Sequence, residues 1–182
     1  MRVIFLDRDG VINKKAPDGE YITTWDKFVF LPHVSEALQI LRIAGFKIII
    51  VTNQRGIARG VLSHESLADI HRRMADQLGL QKAFIDAVYY CPHDEGACNC
   101  RKPEPGLLER AHDEFREIDF SKSYMIGDSY RDIEVGKRMG CYTVFITEHR
   151  DSATLDIGVV PDIITFSLFE AARLISMRYH LV

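Results

Sequence analysis

Nowhere does this 182-residue chain hold an apolar run long enough to cross a bilayer. Its longest runs are strand-sized, against the ~20 residues that a spanning helix needs. A basic excess is also missing: 23 lysines and arginines stand against 26 aspartates and glutamates, for a net charge of -3. That disfavours a nucleic-acid binder working through a general basic surface. No signal-peptide layout precedes the first β-prone run, so the expected compartment is the cytoplasm, with no membrane partner. Repeats, low-complexity tracts and dividing linkers are absent, which predicts one domain over 1–182. Cysteine occurs only four times and tryptophan once. So few cysteines in a reducing compartment do not read as a disulfide framework.

What the chain does contain is an alternation of strand-like and helix-like segments. Hydrophobic residues make up 47% and charged residues 27%, an ordinary soluble composition. Strands are expected at 2–6, 47–51, 87–90, 124–126, 141–146 and 162–165. Helices are expected at 33–44, 63–79, 105–116, 132–139 and 168–177, with Pro105 in a first turn. The strands are continuously apolar, as in a parallel sheet covered on both faces. The expected fold class is therefore α/β: a Rossmann-like three-layer α/β/α sandwich with a mainly parallel sheet. The longest loop, 13–27, follows the first strand directly, and 148–158 is expected to be irregular surface. Neither the interval 7–52, much of it taken by a helix and a strand, nor 86–102 leaves room for a large cap domain. Specificity would then rest on short loops at 13–27, 55–60 and the cysteine-rich segment.

Polar residues collect at the expected carboxyl ends of the strands, the edge where open α/β sheets bind ligands. Asp7-Arg8-Asp9-Gly10 follows the first strand. Thr52-Asn53-Gln54-Arg55 follows the second, Arg101-Lys102-Pro103 the third, and Gly127-Asp128-Ser129 with Asp132 the fourth. Such a set suits phosphoryl transfer. Asp7 can act as a carboxylate nucleophile, with Asp9 beside it protonating the leaving alkoxide and then activating water. Repulsion between a carboxylate and a phosphate dianion would be offset by Lys102 and by a divalent cation on Asp7 and Asp128. Magnesium prefers that kind of site. Thr52 adds a hydroxyl donor and the loop amides after it add more. Asp132 reads equally as support for the site or as a first-turn carboxylate stabilising its helix.

Three of the cysteines lie close together, in the pattern Cys91-Pro92-His93 and Cys98-Asn99-Cys100. Three thiolates and one imidazole close a tetrahedral shell, which is the structural form of a zinc site. Arg101 and Lys102 follow the last ligand, so zinc would steady both cations. Cys141 reads instead as a small buried hydrophobe. His33, His64, His71, His112, His149 and His180 read as surface or capping residues. Arg42, Arg72, Arg73, Arg110, Arg116 and Lys137 read as solvated helix faces. Trp25 reads as a wall of the site or an anchor of its loop.

Asp7-Arg8-Asp9-Gly10-Val11-Ile12-Asn13, Thr52-Asn53-Gln54, Lys102 and Gly127-Asp128-Ser129-x-x-Asp132 resemble, in order, the four motifs of the haloacid-dehalogenase-like phosphatases. The resemblance implies Asp7 as nucleophile, Asp9 as acid/base, Thr52 and Lys102 as phosphate stabilisers, and Asp128 as a magnesium ligand. It adds the Asp9 main-chain oxygen as a further ligand. The zinc loop running into Cys-Arg-Lys-Pro is similar to two branches of that family. One acts on the 7-phosphate of heptose bisphosphates, for lipopolysaccharide or nucleotide-heptose assembly, and the other on histidinol phosphate. The segment from Thr52 to Gly60 is closer to the heptose branch. By that match Asp18, Gly19, Glu20, Tyr21, Thr52, Asn53, Gln54 and Arg55 face a small phosphorylated substrate, with Arg101 and Lys102 on its phosphate. Two features depart from the branch: a short interval between His93 and Cys98, and Arg55 where a small residue is common. A monomer is expected. A zinc-stapled binding module without catalysis is the alternative from another class.

Overall fold

A computed structural model describes residues 1–147 and 158–179. The strands are β1 (Val3–Leu6), β2 (Lys47–Asn53), β3 (Ala87–Cys91), β4 (Tyr124–Gly127), β5 (Tyr142–Ile146) and β6 (Ile163–Thr165). The helices are α1 (Val34–Ile43), α2 (His64–Leu80), α3 (Gly106–Glu114), α4 (Tyr130–Arg138) and α5 (Leu168–Met177). The six strands form one sheet in the order β3-β2-β1-β4-β5-β6, every neighbouring pair parallel.

Strand alternation divides the core between the two faces. Ile4, Leu6, Ile48, Ile50 and Ile126 point toward α1, α2 and α5, packing with Leu38, Leu67, Ile70, Met74 and Ala172. Val3, Phe5, Ile49, Val51 and Met125 point the other way, toward Leu107, Leu108 and Ala111 of α3 and Val135 of α4. This is the expected three-layer sandwich. Because the chain crosses from β3 back to β4 beside β1, the order of connection reverses between β1 and β4. That reversal opens a crevice at their carboxyl ends.

Several boundaries differ from the sequence expectation, each for a local reason. β2, β3 and β4 run one or two residues past their expected ends, because the parallel ladder continues through Thr52↔Tyr90, Asn53↔Cys91 and Gly127↔Phe145. α4 begins at Tyr130 rather than at 132, since Ser129 and Asp132 form a reciprocal capping box. Pro105 is the N-cap of α3 rather than a residue of its first turn. Loop 13–27 is held to the core by Ile22, with Phe28 buried just beyond it. Trp25 stacks on Phe28, ring centroids 5.1 Å apart, and meets Phe30 edge-on at 6.3 Å. It anchors the loop. Cys141 is buried, as expected. The expectation for 148–158 falls, except for Gly158, outside the described residues, as do those for His149 and His180.

Candidate active site

Leu6 pairs with Ile126 in register, so Asp7 and Asp128 leave the sheet side by side. The Asp7 N–H still donates to the Ile126 carbonyl at 3.0 Å. Gly10 turns the chain at once with a φ of 88°. It also leaves room, because a Cβ there would lie 2.1 Å from Asp128 Oδ2. Gly127 does the same for Asp132, whose Cβ and Cγ would each lie 2.2 Å from an added Cβ.

Asp7, Asp128 and Asp132 bring carboxylate oxygens within 4.8 Å of one another. Lys102 enters this group almost wholly buried, its Nζ 3.0 Å from Asp7 Oδ1 and 2.6 Å from Asp132 Oδ1. Asn53 fixes its point of entry, accepting from the Lys102 N–H at 3.0 Å and donating to the Lys102 carbonyl at 3.1 Å. Lys15 Nζ lies 2.9 Å from Asp128 Oδ2. Asp132 serves both purposes weighed for it: Oδ2 accepts from the Ser129 N–H and hydroxyl, while Oδ1 faces Lys102.

Asp9 is held quite differently. Arg8 Nη2 straddles its two oxygens at 2.8 and 2.9 Å. Asn13 Nδ2 donates to Oδ1 at 2.8 Å, and Gln54 Nε2 donates to Oδ2 at 2.9 Å. Burial opposes ionisation of Asp9, but the Arg8 charge and these hydrogen bonds outweigh it and hold the carboxyl below its ordinary value. Asp7 goes the other way. Burial, only partly relieved by Lys102 and reinforced by Asp132, Asp128 and Asp9, pushes it up to about 7. Burial also raises Asp128. Lys102, despite its burial, is raised by Asp132 and Asp7 and stays charged. Crowded carboxylates with raised values are the signature of a site that accepts a further cation. Asp128 Oδ1, buried and without a hydrogen-bond partner, fits the oxygen chemistry of magnesium.

A cavity of about 450 Å³ opens over this group. Asp7, Asp9, Asp128, Arg101 and Lys102 form its floor, and Asp18, Gly19, Glu20, Tyr21, Asn53, Gln54 and Arg55 line it further out. Thr52 is not on the wall; it is buried with its Oγ1 accepting from Gln54 at 3.1 Å. The rim is tied by ion pairs: Arg55 with Asp94, and Arg131 with Glu95 at 2.5 Å.

Beside the cavity, Cys91, His93, Cys98 and Cys100 converge. Cys91 Sγ and Cys100 Sγ lie 3.5 and 3.3 Å from Cys98 Sγ, and Cys100 Sγ lies 3.4 Å from His93 Nδ1. All four ligand atoms fall within 4.8 Å of one another. Burial raises the Cys98 thiol, but hydrogen bonds from its neighbours bring it down to about 7. Three soft sulfurs and one imidazole form the donor set of tetrahedral zinc.

Sequence reasoning missed three parts of this arrangement. Arg8 is fully buried and is the principal partner of Asp9. Lys15 and Arg131 reach the cavity wall. His71, expected on the surface, is instead packed under the site, its Nε2 3.2 Å from Arg8 Nη1. Burial and the Arg8 charge push its pKa down to about 3. The apolar stripe Leu67, Ile70, Met74 and Leu78 carries position 71 on its flank, which is the signal that pointed to it. Arg42 and Lys137 are likewise not simply solvated, pairing with Asp86 at 2.7 Å and Asp162 at 2.6 Å.

Comparison with known proteins converges on one family. Residues 2–140 match the haloacid dehalogenase-like hydrolase model. The chain is 34% identical to the D-glycero-D-manno-heptose-1,7-bisphosphate 7-phosphatase of Chlorobaculum tepidum, over 93% of this chain and 92% of the relative. It is 34% identical to the D-glycero-beta-D-manno-heptose-1,7-bisphosphate 7-phosphatase of Yersinia pestis, over 97% and 96%. Among solved structures, the D,D-heptose 1,7-bisphosphate phosphatase from B. bronchiseptica, complexed with magnesium and phosphate, superposes with a TM-score of 0.87. It is 30% identical and covers 98% of this chain and 99% of that one. With its motifs, sheet order and match over 2–140 in agreement, this chain belongs to the haloacid dehalogenase-like hydrolases.

Proposed function

We propose that this protein is a phosphatase that removes the 7-phosphate of D-glycero-D-manno-heptose 1,7-bisphosphate through an aspartyl-phosphate. The observation that carries the chemistry is Lys102, buried between Asp7 and Asp132 at the floor of an open cavity. The substrate is supported by relatives of that name matching nearly end to end. Residues 1–182 act as one catalytic unit, monomeric and cytoplasmic, with neither nucleic acid nor membrane as partner.

In this reading a carboxylate oxygen of Asp7 attacks phosphorus while the bond to the sugar oxygen breaks, and Asp9, which must enter this step protonated although Arg8 favours its charged form, gives its proton to that oxygen. Water then attacks the aspartyl-phosphate and returns a proton to Asp9, freeing inorganic phosphate and Asp7. Lys102 and Arg101 stabilise the phosphoryl oxygens, while Thr52, behind the cavity wall, steadies the Gln54 amide. Asp18, Gly19, Glu20, Tyr21, Asn53, Gln54 and Arg55 shape the path to the sugar. Magnesium would be held by Asp7, Asp128 and the Asp9 main-chain carbonyl, supplying charge that offsets repulsion between carboxylate and phosphate. Zinc would be held by Cys91, His93, Cys98 and Cys100, as structural support for Arg101 and Lys102.

Turnover of heptose bisphosphate and of histidinol phosphate, each with magnesium, tests the substrate. A clear preference for the heptose compound is expected, and a preference for histidinol phosphate overturns that assignment. Asp7→Asn tests the reaction: it should abolish phosphate release, and equal release by variant and parent would reject the aspartyl-phosphate route.

A further inference from the structure

Arg8 has an unusual set of partners for a wholly buried guanidinium. Its Nη2 is spent on Asp9, and its Nε has no hydrogen-bond partner. The Phe28 ring lies 5.8 Å from its Cζ, which supplies contact but little direction. Among the described residues, the one polar side chain at its far corner is His71, with Nε2 3.2 Å from Nη1. Arginine can only donate, so His71 must accept, which places the imidazole proton on Nδ1 and leaves the ring neutral. His71 comes from α2, a long helix packed into the core by Leu67, Ile70, Met74 and Leu78. The set therefore runs from a rigid helix, through His71 and Arg8, to the carboxyl group of Asp9.

We propose that His71 is a positioning residue for the leaving-group step, acting through Arg8 to hold Asp9 aimed at the departing oxygen. The proposal rests on the reading of Asp9 as acid/base. Without an acceptor at 71, Asp9 is the only side-chain polar anchor left to Arg8 among the described residues, so the Arg8 fork over Asp9 loosens and Asn13 and Gln54 alone hold the carboxyl. Catalytic groups lose efficiency when the side chains supporting them are free to move in this way.

The consequence is selective. A sugar oxygen leaves poorly and needs a proton, whereas p-nitrophenolate leaves without one. The ratio kcat/KM reports only steps up to departure of the leaving group, so it isolates that requirement. His71→Phe, similar in shape but without an acceptor, should lower kcat/KM for heptose bisphosphate by roughly 10- to 100-fold, a part of the full acid/base contribution. For p-nitrophenyl phosphate it should stay within about threefold, because no acid assists that departure. His71→Gln, which can return an acceptor near the Nε2 position, should recover most of the loss. In an Asp9→Asn background, His71→Phe should cost nothing more on the sugar substrate.

Equal losses on both substrates, or no loss on either, overturn the proposal if Asp9→Asn still separates them. If Asp9→Asn itself fails to separate the two substrates, the acid reading of Asp9 falls first. Should His71→Phe not fold, His71→Leu reads the same contrast.

Discussion

A neutral imidazole packed beneath the site makes the stability of the protein depend on pH in a calculable way. Burial and the Arg8 cation hold His71 at about 3 in the folded state, against an ordinary value of 6.5. The unfolded chain therefore binds a proton at this position that the folded chain does not. The sign follows: the contribution is full above pH 6.5 and is lost as the pH falls, because protonation favours the unfolded form. The linkage integral gives a loss of ~0.8 kcal/mol at pH 6 and ~2 kcal/mol at pH 5. For a chain of this size that corresponds to about 4–8 °C in Tm at pH 5. Urea unfolding of the parent and of His71→Phe, from pH 7.5 to 5, isolates the effect. Groups common to both proteins, including the cysteine cluster and the carboxylates, cancel in the difference. The variant should gain ~2 kcal/mol relative to the parent over this range, whatever their offset at pH 7.5. Two curves that stay parallel would show that His71 takes up its proton as readily in the folded protein as in the unfolded one, and the lowering of its pKa by burial and Arg8 would be refuted.

Two further perturbations address the rest of the site. Cys98→Ser should abolish stoichiometric zinc and lower activity at least tenfold, while far-UV circular dichroism stays close to the parent's, because the sheet core does not include the loop; unchanged kinetics in a verified zinc-free variant would refute the supporting role. Gly127→Ala puts a methyl group onto Asp132. It should lower thermal stability by about 1–3 kcal/mol, as other overpacked positions do, and should reduce kcat more than KM, measured by phosphate release under saturating magnesium.

The sheet and most of the floor of the site are legible in the sequence for a simple reason. In a parallel sheet the ends of consecutive strands share one edge, so polar residues that interrupt apolar runs at Asp7, Thr52 and Asp128 are forced together. The cysteine spacing is equally local. Arg8 is the opposite case. Lying between two aspartates, it carries no pattern that announces burial, and it is the packing of His71 from α2 and of Phe28 against it that shows its place. Thr52 marks another limit. Periodicity puts it at a strand end, but its hydroxyl faces Gln54 behind the cavity wall, because the ladder with β3 continues through it. The ion pairs of Asp94 and Glu95 with Arg55 and Arg131 join the cysteine-rich loop to the loop after β2 and to the first turn of α4, and have no sequence periodicity to announce them.

The two signs of charge in this site come from structurally independent sources. Asp7 and Asp128 are delivered by the central strands, whose order is fixed by burial on both faces. Lys102 arrives from a loop with no core of its own, and each residue ordered there costs about 1–2 kcal/mol of backbone entropy. Surface ion pairs such as Arg131–Glu95 contribute about 0–1 kcal/mol each and cannot meet that cost. The Asn53 amide fixes one peptide only. A bound zinc ion, at ~10 kcal/mol or more in small peptides, is of the required size. With zinc in the tetrad, that cluster and the carboxylates would be energetically coupled: loosening the cysteine loop would withdraw Lys102 from between Asp7 and Asp132. It follows that zinc loss should raise the Asp7 carboxyl further above its ordinary value, so activity without zinc should decline most steeply on the acid side of neutrality.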